Sequence, residues 1–142
     1  MTGRSHAADR LRAVRGVRHR WRTDRRLFTR LVGEVVETLP DEFRARLENV
    51  AVVVAEWPDD EEAAAGVEGG APEEADLLGL YQGIPYGERL QGYNMTLPDR
   101  ITIYRGPILA ASRTEAEARE EIRLTVLHEI GHYFGLGDDE LP

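Results

Sequence analysis

The stretch His128-Glu129-Ile130-Gly131-His132-Tyr133-Phe134-Gly135-Leu136-Gly137-Asp138 decides how this chain is read. His128 and His132 stand four residues apart, so on a helix both imidazoles project from one face, about one turn from each other. That spacing lets two ring nitrogens reach one Zn²⁺ at about 2.0–2.1 Å. Glu129 is rotated about 100° from His128. It can reach a water on the metal without being a ligand, the place of a general base. A third protein ligand is still needed, and only ten residues follow His132. Gly135 ends the helix, because glycine adopts the left-handed conformation cheaply. Asp138 comes three residues later, where the turn can return its carboxylate to the imidazoles; Asp139 and Glu140 are the neighbouring alternatives. Three ligands leave the fourth position open to water, the catalytic layout and not the closed structural one. Mn²⁺, Co²⁺ or Ni²⁺ would suit the same donors.

Composition narrows the remaining choices. The chain has 142 residues, enough for one domain, and no cysteine, so thiolate metal sites, disulfides and cysteine nucleophiles are excluded. Only four histidines are present, and the other two, His6 and His19, fall in a basic tail and read as solvated. Residues 1–30 carry ten Arg and two Asp, whereas residues 31–142 carry eight Arg and twenty-four acidic residues. Every basic residue is Arg, which we read as a coding bias before a function. No apolar run follows the basic N-terminus and none is long enough to cross a bilayer. The expectation is a soluble, cytoplasmic protein with no membrane partner.

Outward from the motif, the pattern implies a helix from about Thr114 to Phe134, capped by Ser112 or Thr114 and acidic in its first half. Residues 1–22 are expected to be a disordered Arg-rich tail, and 23–142 the folded domain. Thr23 or Asp24 opens a helix whose apolar face is Leu27, Phe28, Leu31, Val32, Val35, Val36 and Leu39, and Pro40 stops it. A short helix over 41–47 follows. Val50 to Glu56 reads as a buried strand, 58–76 as an acidic exposed loop, 77–81 as a strand and 82–99 as a long loop. Arg100 to Tyr104 reads as a strand closed by Gly106-Pro107. The class is α+β, with a small mixed sheet packed on helices and a C-terminal zinc-binding helix.

The chain resembles a bacterial zincin-like metallopeptidase family, formerly a domain of unknown function, that carries H-E-x-x-H-x-x-G-x-x-D. LPDEF (39–43), NVAVVVAEWP (49–58), LLGLYQGIP (77–85), LPDRITIYRGPIL (97–109) and VLHEIGHYFGLGDDEL (126–141) carry the resemblance, over roughly residues 27–142. It implies a minimal zincin-like single domain with His128, His132 and Asp138 as zinc ligands and Glu129 as base. It supplies no substrate.

The expected chemistry is hydrolysis of a peptide bond in an unidentified peptide or protein. Zinc activates water and Glu129 relays its proton. The strand ending at Tyr104 is expected to be the sheet edge that pairs with substrate. Tyr81, Tyr86, Tyr104 and Arg105 are candidate oxyanion donors. The rival reading is a metal-dependent binding module with little turnover. Nucleic-acid binding through the Arg tail is the weakest reading, because the tail lacks interleaved aromatic residues.

Overall fold

The computed structural model describes residues 20–68, 77–83 and 99–134. Helix α1 (Arg25–Glu37) forms on the expected apolar face, burying Phe28, Leu31, Val32 and Val35. Asp24 is its cap, accepting the Arg26 N–H at 2.9 Å and satisfying one orphan donor of the first turn. Helix α2 (Asp41–Arg46) begins directly after Pro40 and inserts Phe43 into the core.

Strand β1 (Val50–Ala55) follows. Its composition suggests a buried strand, but it lies at a sheet edge and Val53 is 38% exposed. Val50, Val52 and Val54 pack on the core, and the alternate positions face away. An uncharged edge strand is an open template for further pairing. Here Arg25 of α1 reaches across and donates to the Val54 carbonyl at 2.6 Å, setting a guanidinium on that edge.

Residues 58–76 do not form the expected uninterrupted loop: Asp60–Glu68 is a helix, α3. A reciprocal cap starts it. The Asp59 carboxylate accepts the Glu62 N–H at 2.8 Å, and the Glu62 carboxylate accepts the Asp59 N–H at 3.1 Å. The other Glu62 oxygen accepts the Tyr104 hydroxyl, tying α3 to the sheet.

Among the described residues, strands β2 (Gly79–Gln82) and β3 (Asp99–Tyr104) join β1 in a three-stranded mixed sheet in the order β1-β3-β2. β1 and β3 run parallel, with Val50 opposite Asp99 and Ala55 opposite Tyr104. β2 runs antiparallel to β3, with Gly79 opposite Ile103 and Tyr81 opposite Ile101. The strand ending at Tyr104 is therefore the centre of the sheet and not its edge, which corrects the expectation that it pairs with substrate. Both of its backbone rims are occupied. Residues 84–98 of the expected long loop lie outside the described residues.

β3 ends at Tyr104, just ahead of Gly106-Pro107, as expected. Helix α4 (Arg105–Ala111) starts there, and Pro107 is tolerated because its missing N–H falls in the first turn, where no intrahelical partner exists. Helix α5 (Glu115–Phe134) then spans 20 residues. Thr114 is its cap, accepting the Glu117 N–H at 3.1 Å, while the Glu117 carboxylate accepts the Arg113 N–H at 2.7 Å. α5 packs against α1, α2, α4, β2 and β3. Ala118, Ile122, Val126, Leu127 and Ile130 are its buried stripe, meeting Ile101 and Ile103 from the sheet. This is the α+β layout expected, with a mixed sheet on helices.

The packed body begins before the expected boundary at residue 23. Trp21 is 4% exposed and joins the core. The Arg22 guanidinium donates to the carbonyls of Ser112 and Leu109 at 2.9 and 3.2 Å, and Arg105 donates to the Arg22 carbonyl. Residues 1–19 lie outside the described residues. Among the described residues no helix is long and apolar enough to cross a membrane.

Candidate metal centre

The last two turns of α5 carry His128, Glu129 and His132. Leu127, Ile130 and Gly131 are buried, so the core fixes how the helix is turned. His128 and His132 thereby face solvent one turn apart, and Glu129, partly buried, points to the sheet. At the end of α5, the Arg46 guanidinium of α2 lies 4.9 Å from the centre of the Phe134 ring, a cation–π contact that ties α2 to the helix.

Glu129 has a specific partner. Its Oε2 accepts the backbone N–H of Tyr81 at 3.0 Å. The Tyr81 hydroxyl donates to Oδ2 of Asp99 at 3.0 Å, and Asp99 is only 6% exposed. Glycines make this arrangement possible. A Cβ on Gly79 would fall 2.5 Å from Cγ2 of Thr125 on α5, so only glycine lets β2 lie this close to the helix. A Cβ on Gly83 would fall 2.9 Å from the Asp99 carboxylate and from the Tyr81 ring.

Burial pushes the Glu129 carboxyl above the ordinary glutamate range, because the charged form loses hydration. The Tyr81 N–H and the nearby His128 and His132 charges act in the opposite direction and do not cancel it. A carboxyl shifted upward holds a proton more firmly, as suits a group that takes one from water.

Two exposed imidazoles one turn apart fit two of the nitrogen positions around a divalent cation such as zinc, while Glu129, turned to the sheet, stands beside them and not among the donors. Among the described residues no three His, Cys, Asp or Glu side chains come together as a metal site. Asp138, expected as third ligand, and its neighbours Asp139 and Glu140 lie outside the described residues.

The candidate oxyanion donors separate cleanly. Tyr104 is fully buried, its phenol pushed well above the ordinary range by burial and by Glu62. Arg105 donates to Glu56 at 2.8 Å and to the Arg22 carbonyl, holding the N-terminal turn. Tyr86 lies outside the described residues. Tyr81 alone of the described candidates touches Glu129, and it does so through its backbone. Asp99 went unnoticed in the sequence beyond its place in LPDRITIY; nothing local distinguishes an acid at a strand start that will clasp a tyrosine.

Residues 47–142 match the family model described as zincin-like metallopeptidase. The match starts at Leu47, so α1 and α2 lie ahead of it. No curated protein matches the chain. A solved structure, a conserved hypothetical protein from T. thermophilus, is similar at 24% identity with a TM-score of 0.46, over 76% of this chain and 91% of that one.

Proposed function

Because the chain belongs to the zincin-like metallopeptidase family, we propose that it hydrolyses peptide bonds, with His128, His132 and Asp138 holding zinc and Glu129 as general base. The supporting observation is the contact between Glu129 and Tyr81, which sets the base of the H-E-x-x-H helix against the rim of β2. An extended peptide lying along that rim would run past the base.

Zinc, when bound, acidifies water and polarises the scissile carbonyl. The rest is the work of the chain. Glu129 accepts the proton of the attacking water on a carboxylate oxygen and returns it to the leaving amine. β2, one of the two edge strands among the described residues, offers backbone groups to a peptide by strand addition. The Asp99–Tyr81 bond and the tight fit at Gly79 hold β2 in place while it does so.

The test pairs metal content with turnover. Purified protein supplemented with zinc is expected to hold about one zinc per chain and to cleave a broad peptide library in a chelator-sensitive way. Glu129→Gln is expected to keep the zinc and lose roughly 10²–10⁴ in rate, the worth of general-base catalysis. Protein that stays metal-free at neutral pH would end this reading. Zinc binding without any turnover would replace it with a metal-dependent binding module.

A further inference from the structure

The hydrogen bond that ties Glu129 to the sheet occupies a donor that a peptide on β2 would need. The Tyr104 N–H donates to the Leu78 carbonyl at 2.9 Å, and in an antiparallel pair bonded and non-bonded partners alternate. With Tyr81 opposite Ile101, the Tyr81 N–H therefore points away from β3, out of the sheet. Glu129 accepts it there. A peptide that extends the sheet at β2 binds through outward backbone groups of this kind.

We propose that the Tyr81 N–H is a shared donor: it holds Glu129 in the free protein and passes to a backbone carbonyl of an extended peptide docking on β2. Peptide docking and release of the base are then one event. This inference rests on the peptidase reading. One N–H cannot make two good hydrogen bonds in the same plane, so the carboxylate leaves as the carbonyl arrives. The side chain of Tyr81 is held by Asp99 and β2 is seated against α5 at Gly79, so the strand stays and the Glu129 side chain moves. Both oxygens of Glu129 then become available to the attacking water. Tyr81 is in this sense a positioning residue acting through its main chain. Free protein keeps its base engaged, and an extended peptide segment, with a carbonyl to offer, releases it.

The test uses the full-length protein with chelator present, so that no turnover consumes the probe, and fluorescein-labelled oxidised insulin B chain as the extended peptide. Amide exchange at Tyr81, followed by NMR, is expected to quicken by about tenfold or more in Glu129→Ala and to change little in Glu129→Gln, whose amide oxygen still accepts. The labelled B chain is expected to bind Glu129→Ala about tenfold more tightly than wild type, the worth of one hydrogen bond to a charged group. In a Tyr81→Pro background, which deletes the donor at an outward edge position and the ring's bond to Asp99 with it, Glu129→Ala should give no gain, whereas in Tyr81→Phe, which loses only the bond to Asp99, the gain should persist. Unchanged Tyr81 exchange in Glu129→Ala overturns the proposal. So does equal binding of the B chain by wild type and Glu129→Ala; if chelator-sensitive peptide cleavage is intact, that outcome strikes the sharing alone. A B chain bound by no variant, alongside faster Tyr81 exchange and no cleavage of any peptide, strikes the peptidase reading and the sharing with it.

Discussion

Gly79→Ala is the sharpest test of how the sheet and the motif helix are joined. The added methyl would sit 2.5 Å from Cγ2 of Thr125, 3.0 Å from the Thr102 carbonyl and 3.3 Å from Cδ1 of Ile103. Carbon atoms rest at about 3.5–4.0 Å, so β2 must retreat from α5 by roughly 1 Å. Overpacking of this kind costs about 1–3 kcal/mol, a fall in Tm of roughly 4–12 °C for a domain near this size. The same retreat moves the Tyr81 N–H relative to Glu129, which accepts it at 3.0 Å in the wild type. Thr125→Ser supplies the control. It removes Cγ2 yet keeps the hydroxyl that donates to the Glu121 carbonyl at 2.6 Å. The double variant should recover most of the lost stability. Chemical denaturation of wild type, both single variants and the double variant measures the coupling. A coupling below about 0.5 kcal/mol, the scatter expected of independent sites, would refute the close approach at Gly79 as the reason for glycine there.

Other expectations are as direct. On the proposed ligand set, Asp138→Ala should weaken zinc binding by more than the roughly 10–100-fold of a residue that only supports a ligand, while Asp139→Ala and Glu140→Ala stay within a few-fold; competition with a chromogenic chelator reads this, and metal loss with Asp139→Ala alone would move the ligand by one residue. Deleting residues 1–19 should leave the denaturation midpoint in place, whereas Trp21→Ala should cost about 3–5 kcal/mol, as for other large buried aromatic residues; equal stability of Trp21→Ala and wild type would show that Trp21 is no part of the core. The raised Glu129 pKa fixes a sign as well. Its folded value lies above its unfolded one, so the folded state binds the extra proton between them, and metal-free protein loses stability as pH rises from about 4.3, the ordinary glutamate value. The difference in unfolding free energy between wild type and Glu129→Gln, measured across pH 4 to 7 with chelator, should show that fall; a flat or rising difference would contradict the burial of Glu129.

What the sequence disclosed was local in origin. The α1 face from Leu27 to Leu39 follows from spacing alone, because an amphipathic helix repeats its pattern several times over. The two histidines and Glu129 were legible for the same reason: four-residue spacing on a helix fixes their geometry whatever surrounds them. α3 was hidden by its composition, since Asp60–Glu68 is acidic and alanine-rich with no apolar stripe; the trace that could have revealed it is the acid pair Asp59 and Glu62, spaced for a reciprocal cap. Strand order was out of reach. Six residues of Val and Ala look like a central strand, yet β1 is at the edge and β3, with Arg100 and Asp99 in it, is at the centre. Trp21 was masked by the arginines around it. The contact between Glu129 and Tyr81 links residues 48 apart through a main-chain N–H, a donor that every non-proline residue carries and that no side-chain pattern marks.

Arg25 on β1 and Glu129 on β2 fence the two rims of the sheet with charged side chains of opposite sign, each lent by a helix. One fence post is therefore also the proposed base, and the choice of inactive variant matters for handling the protein. Glu129→Gln leaves an acceptor over the Tyr81 N–H and keeps the rim closed. Glu129→Ala silences the base equally well but leaves a strand edge open to the next molecule. Stocks of that variant should self-associate as concentration rises, and light scattering would separate two preparations that a turnover assay cannot tell apart.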